Sequence, residues 1–385
     1  MRLLAFAYAC EPEKGSEPGA GWVWTEMLAS LGEVWVITRT NNRQAIESAP
    51  PRERTNFVYV DLPQWILQWK KGPRGALLYF LLWQFAAYRR ARFLIKQHQI
   101  DCVWHLTIAN IWLGSSAALL GIPFVYGPVG GGVSMSYRLL ASLGWRGAGK
   151  EVLRDAVRTG ARYLNPLTRI SWHRAKLILV QNRETREWLP RRHRQKAEVF
   201  TNTVVRHASA PRKKHGETTM LFAGRLVPWK GASLAIEVLR LLPEWRLIVC
   251  GRGPDEERLI RLARKRQVQE RIDFRGWVPP AELEQIMENE ASVLVFPSLH
   301  DEGGWVVVEA ATHGLPTVAL DRGGPRELGA YTIHATWKRQ TVRELADKIK
   351  EVRTLSPLLQ WMLHTPAQGL KASTRRIFVD WSQRT

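Results

Sequence analysis

The chain has 385 residues, with 56 lysines and arginines against 35 aspartates and glutamates and a formal net charge of +21. That length accommodates two ordinary domains with full cores, and a 45% hydrophobic composition without low-complexity tracts or internal repeats excludes a disordered or solenoid chain. A balance this basic points to anionic partners: phosphorylated substrates, an anionic membrane or nucleic acid.

In chain order, the apolar run Leu3 to Ala9 predicts a first strand. Its roughly seven apolar residues before Glu11 are short for a signal-peptide core, and no small-residue cleavage pattern follows. Gly15 to Gly21 then predicts a loop ahead of a helix from Trp22 to Leu31, with Gly19 and Gly21 placed to offer amides to a phosphate or an acceptor. It is not a dinucleotide fingerprint, because Trp24 occupies the third glycine position. Further strand-like runs fall at Val34 to Ile37, Phe57 to Val60, Cys102 to Trp104, Pro123 to Tyr126 and Leu177 to Val180, separated by helix-compatible segments. His105 ends the fourth run. After the fifth comes Gly127 to Gly132, where Gly130 and Gly131 suit either close approach of a ligand or a plain connector.

Between Leu62 and Lys150 the only acidic residue is Asp101, while Lys70, Lys71, Arg74, Arg89, Arg90, Arg92 and Lys96 accompany Trp65, Trp69, Trp83, Tyr79, Phe80 and Phe85. Leu77 to Tyr88 is nearly continuously apolar but falls short of the ~20 residues a membrane span needs. Interleaved aromatics and cations of this kind suit an anionic membrane surface; a buried helix with a charged end is the plainer alternative. Nucleic acid is not expected, since the apolar run is too continuous for a solvated groove.

The polar segment 206–216 predicts a linker between residues 1–205 and 217–365. Past it a second series of strands is expected at Met220 to Ala223, Leu247 to Cys250, Ile272 to Phe274, Val293 to Phe296 and Thr317 to Leu320. Two such alternating series predict an α/β chain of two Rossmann-like domains, each with a parallel sheet covered by helices. Cys10, Cys102 and Cys250 sit in or at the end of apolar runs without metal-ligand spacing, so they read as buried thiols of a reducing compartment.

The chemistry concentrates in the second half. Gly224-Arg225 and Lys230-Gly231 follow one strand, and Asp301-Glu302-Gly303-Gly304 follows another and leads into a helix containing Glu309. Arg225 and Lys230 supply two cations for a diphosphate leaving group, and a helix opening on glycines presents bare amides to the same anion. Asp301 and Glu309 are spaced to hold hydroxyls at either end of such a ligand. No Asp-x-Asp triplet is present to hold a divalent ion, so neither a metal nor a cofactor is expected. Singly, each piece also fits a surface ion pair or a helix cap. Together they fall at the carboxyl ends of strands, where open parallel sheets bind ligands.

These residues, with Gly251-Arg252-Gly253-Pro254, Phe274 to Val278, Val295 to Ser298 and Gly323 to Glu327, resemble in order and spacing the C-terminal half of retaining GT-B glycosyltransferases of family 4. Asp301 stands where the family has its first signature glutamate, with Glu302 beside it. The resemblance implies a GT-B fold with two domains facing a central cleft, and 366–385 resembles the family's closing helix, which crosses back to the first domain. It also implies a nucleotide-diphosphate sugar donor, linked to uridine or guanosine and held by Gly224, Gly276, Trp277, Val278, Glu302, Gly303 and Gly304. His105 would face the donor sugar or acceptor. The expected enzyme is a cytoplasmic hexosyltransferase, peripheral on the inner membrane face, acting on a lipid-linked or other saccharide acceptor. A sugar-nucleotide epimerase or phosphorylase on the same fold, and a non-catalytic basic adaptor, are the alternatives.

Overall fold

The computed structural model describes residues 1–12, 14–63, 65–66, 75–108, 110–201, 218–353 and 355. The expected linker 206–216 and closing helix 366–385 lie outside these, as do Trp69, Lys70, Lys71 and Arg74. The described chain divides into two compact units, one of residues 1–132 and 158–201 and the other of residues 133–157 and 218–355.

In the first unit, β1 (Arg2–Phe6), β2 (Glu33–Thr38), β3 (Thr55–Tyr59), β4 (Cys102–His105), β5 (Phe124–Val129), β6 (Ala175–Val180) and β7 (Ala197–Val199) form one parallel sheet in the order β3-β2-β1-β4-β5-β6-β7. Its inner strands β1, β4 and β5 are almost wholly apolar because both faces of the sheet's centre are buried, whereas β3 and β7 are partly exposed. Alternate residues feed two cores: Leu4, Phe6 and Val103 join one, and Leu3, Ala5 and Trp104 the other.

The second unit repeats the design with β8 (Thr219–Ala223), β9 (Arg246–Cys250), β10 (Ile272–Gly276), β11 (Val293–Phe296), β12 (Thr317–Leu320) and β13 (Tyr331–Ile333), in the parallel order β10-β9-β8-β11-β12-β13. Strand order reverses between β8 and β11, so the crevice beyond their carboxyl ends is the place for a ligand. Met135, Leu139 and Leu143 enter this unit's core beside Phe222, Leu226 and Leu239, which is why residues 133–157 belong to it.

The structure corrects two sequence expectations. The first helix spans Ser16–Ala29, so Gly19 and Gly21 are helical and form no phosphate loop. A Cβ on Gly19 would lie 1.8 Å from Lys14 O and one on Gly21 2.1 Å from Ala9 O, so close packing onto the preceding loop accounts for both glycines. The carboxylate-bearing helix is Trp305–Thr312, so the glycines expected to open it precede it, with Gly304 as its N-cap. Among the described residues, β7 and β13 were not expected, and all three cysteines are buried free thiols.

Candidate active site at the sheet switch point of the second unit

Four loops at the carboxyl ends of β8, β9, β10 and β11 are knitted by backbone hydrogen bonds. Gly224 N donates to Cys250 O, Leu226 N to Arg252 O, Gly251 N to Gly276 O and Leu299 N to Trp229 O. The crossing of the first two loops requires glycine: Gly251 has φ +147°, and a Cβ there would lie 1.9 Å from Gly224 O. Gly276 (φ +68°) turns the chain beside Arg252, leaving Trp277 exposed while Val278 packs into the core. The Gly323-Gly324 pair serves the fourth loop. A Cβ on Gly323 would lie 1.9 Å from Asp301 O, and Gly324 N donates to that same oxygen at 2.9 Å.

Within this frame the charged groups meet. Lys230 Nζ forms an ion pair with Asp301 Oδ2, and the Ser298 hydroxyl lies 3.4 Å from the same oxygen. Gly231 (φ +76°) allows the lysine's turn to press on the β11 loop, since a Cβ there would lie 2.0 Å from Pro297 O. The Lys230 ammonium is 5.1 Å from the centre of the Phe296 ring, and a Cβ on Gly304 would touch that ring's edge at 3.5 Å. The cation and the tip of the Trp305–Thr312 helix therefore flank one aromatic ring. Gly304, in left-handed conformation (φ 77°), begins that helix with no side-chain cap, so its first amides are unclaimed by a side chain. The Arg225 guanidinium lies 5.9 Å from the Trp229 ring, which stacks on His300 at 5.9 Å and 12°.

Sequence reasoning missed Glu151, whose Oε2 is 3.0 Å from His300 Nε2 and accepts from Arg154 Nε at 2.9 Å. Burial would raise the Glu151 carboxyl, but His300 and Arg154 outweigh it and hold it below the usual carboxylate range. The signal was available: in the helix Gly144–Leu164, Glu151 and Asp155 share a face that Val152 and Leu153 do not.

The two candidate first carboxylates separate. Asp301 faces Lys230, whereas Glu302 Oε1 accepts from Val133 N at 3.3 Å, and Gly303 is buried under Gly324. Glu309 lies on the same helix as the bare tip, about 7 Å of helix rise beyond Gly304. Burial, and secondarily Glu284, raise its carboxyl above the usual range against a smaller opposing pull from His313. The loops thus hold the Lys230–Asp301 pair beside the unclaimed amides at the tip of the helix that carries Glu309, with Arg225 on the loop before Lys230, features that suit an anion carrying hydroxylated groups.

The first-unit candidates look different. His105 is 1% exposed, its Nδ1 2.7 Å from Ser115 Oγ, and it packs against Phe6, Phe80 and Tyr126. Burial lowers its pKa to about 4, so it is a neutral imidazole at physiological pH. A Cβ on Gly131 (φ +93°) would meet the Asn110 side chain at 2.4 Å, and Gly130 bridges to Asn110. Contacts within the unit thus account for the bare backbone there.

Comparison with known proteins gives a family match over the same part of the chain. Residues 206–362 match the family model of the glycosyl transferases group 1. That match holds β8 through β13 and the residues from Gly224 to Gly324 singled out above, while Glu151 and Arg154 lie outside it. Over 144 residues the chain is 29% identical to the 2-deoxystreptamine N-acetyl-D-glucosaminyltransferase of Niallia circulans, covering 36% of this chain and 37% of that one. The chain thus spans about a third of the length of that curated relative. Among solved structures it superposes on sucrose-phosphate synthase from Thermosynechococcus elongatus with a TM-score of 0.65 at 13% identity, covering 98% and 99% of the two chains. It superposes on Anabaena HepE in complex with UDP-glucose with a TM-score of 0.56 at 14% identity, covering 100% of each. At these identities the likeness is one of fold. With the two parallel sheets it establishes the GT-B fold.

Proposed function

We propose that the protein is a retaining glycosyltransferase of family 4 type, moving a hexose from a nucleoside-diphosphate donor to a saccharide acceptor carried at a membrane. The observation that carries the reading is the Lys230–Asp301 pair set beside the uncapped tip of the Trp305–Thr312 helix at the switch point. The group 1 match and the UDP-glucose complex of a protein of the same fold support it.

In this reading the diphosphate lies over the amides following Gly304, with Arg225 and Lys230 on its oxygens. Glu309 holds the ribose hydroxyls, Asp301 the transferred sugar, and Gly276 to Val278 the base. The acceptor hydroxyl attacks the anomeric carbon from the face the donor leaves, and the bond from that carbon to the β-phosphate oxygen breaks. The departing phosphate oxygen takes the acceptor's proton, giving a glycoside and a nucleoside diphosphate. Arg225, Lys230 and the helix tip stabilise the charge that builds on that oxygen, a contribution of several kcal/mol in comparable sites. The two cations meet the charge requirement from the protein's own side chains.

Membrane association is supported by exposed apolar faces. The helix Ala76–His98 buries Tyr79, Trp83, Ala87 and Leu94, yet exposes Leu77, Leu78, Leu81, Leu82, Phe85 and Phe93 beside Arg89, Arg90 and Arg92. It is both a core helix and an apolar surface. No described helix is long and apolar enough to cross a membrane. A basic, acid-free surface of this kind gains about 1 kcal/mol per cation near anionic lipid. We place the protein on the cytoplasmic face.

The test is a screen of uridine- and guanosine-diphosphate sugars for nucleoside-diphosphate release, with and without saccharide acceptors. Acceptor-stimulated release from one donor supports the transferase. Interconversion of the donor without acceptor would indicate an epimerase, sugar phosphate release from a polymer a phosphorylase, and no turnover of any donor an adaptor.

A further inference from the structure

A cavity of about 600 Å³ in the second unit lies beside the donor crevice, and no role in the chemistry above uses it. Its walls come from the start of the Gly144–Leu164 helix, from the Val227–Trp229 turn and from the Glu256–Lys265 helix with the loop before it. Two tryptophans, Trp145 and Trp229, line it, with Arg146, Lys150, Arg258 and Arg261.

The charges are unequally committed. Asp255 is neutralised by Arg258 through two contacts of 2.6 and 2.7 Å, and Glu151 by Arg154 and His300. Arg258 also reaches Ser142 O at 3.3 Å, so it is a structural clamp. Among the described residues Arg261 pairs only through a long, exposed contact of 3.5 Å to Glu257. Arg146 and Lys150 lie one helical turn apart, are exposed and make no ion pair among the described residues; Arg146 only overlies Trp145 at 4.8 Å. The carboxylates are thus cancelled and two or three cations remain. Trp145, 80% exposed, has no packing reason to be there. An indole offers an apolar platform to a sugar ring, while an Arg–Lys pair at this spacing matches the oxygens of a phosphate.

The cavity is also tied to the proposed chemistry. Trp229 forms one wall and also meets Arg225 and His300; Glu151 lines the cavity and meets His300, the neighbour of Asp301.

We propose that this cavity is a subsite for a phosphorylated saccharide, its sugar on Trp145 and its phosphate on Arg146, Lys150 and Arg261. The inference rests on the transferase reading, for which it names the acceptor as a sugar phosphate. The phosphate comes either from a soluble sugar phosphate or from a lipid-linked one. The second source fits the apolar face the helix continues past the cavity, where Val152, Leu153, Val157, Tyr163 and Leu164 are exposed.

Calorimetric titration of the full chain, with its donor site saturated by UDP or GDP, tests this with maltose 1-phosphate, maltose and inorganic phosphate. Maltose 1-phosphate is expected to bind at least tenfold more tightly than either other probe. Arg146→Ala with Lys150→Ala is expected to remove that advantage, and Trp145→Ala to weaken both sugars, with nucleotide affinity unchanged in all variants. Equal affinity for maltose and maltose 1-phosphate, or a double variant that binds like the wild type, overturns the subsite. A decyl chain on the phosphate that adds affinity, lost again in Leu153→Ser, assigns the lipid-linked source; no added affinity assigns the soluble one, and either upholds the subsite. Absence of nucleotide binding by the wild type is a separate failure, that of the donor site, and the same titrations without nucleotide still decide the subsite.

Discussion

Lys230 is held in an ion pair with Asp301, so its position is fixed and its charge is balanced by a protein carboxylate. Removing it takes away transition-state stabilisation and leaves Asp301 without its partner. Lys230→Ala is expected to lower kcat/KM by about 100- to 1000-fold with the preferred donor, the range for losing one oxyanion contact. Glu309 shows the opposite condition, a carboxylate whose burial disfavours its charged form. Its folded pKa lies above its unfolded value, so the folded state binds more protons between the two. The stability this group contributes is therefore full below the unfolded value and is lost as pH rises through the folded one. Glu309→Gln should melt at a higher temperature than wild type at pH 7, with the difference shrinking toward pH 4, while nucleotide binding falls. A variant no more stable than wild type at pH 7 contradicts this account of Glu309.

At the scale of elements, glycines decide where loops touch. Gly231 combines positive φ with an approach that leaves no room for a methyl group against Pro297 O. Gly231→Ala is expected to destabilise the protein by about 1–3 kcal/mol from backbone strain alone, and more if the β11 loop must move. A melting temperature equal to wild type would show the loop to be more yielding than drawn. The strands of both sheets were legible because buried parallel strands are unbroken apolar runs, as in Leu221-Phe222-Ala223 and Val293 to Phe296. β7 and β13 were not, since three-residue strands such as Ala197–Val199 leave no pattern of their own. The donor motif was legible because its residues are local to four strand ends. Glu151 was missed although its helix face sets it apart, because its partner His300 is distant in sequence and only the tertiary fold joins them. The Gly19 and Gly21 segment misled because glycines usually mark loops, whereas here they let a helix pack on the Lys14 and Ala9 carbonyls.

For the whole molecule, the charge of +21 and the exposed apolar helix faces give one joint expectation. The protein should float with liposomes containing anionic lipid at low salt and be released as ionic strength rises. Leu81→Glu with Phe85→Glu, on the exposed face of Ala76–His98, should reduce flotation without altering donor turnover in solution. Equal recovery with neutral and anionic liposomes would contradict the electrostatic part. The claim on which the rest stands is that the switch point of the second unit holds a nucleoside diphosphate through its phosphates. Calorimetric titration with uridine, UDP, guanosine and GDP, against wild type, Arg225→Ala and Lys230→Ala, measures it directly. The account predicts that one diphosphate binds at least tenfold more tightly than its nucleoside and that each variant loses most of that difference. A diphosphate that binds no better than its nucleoside, or keeps its affinity in both variants, would contradict it.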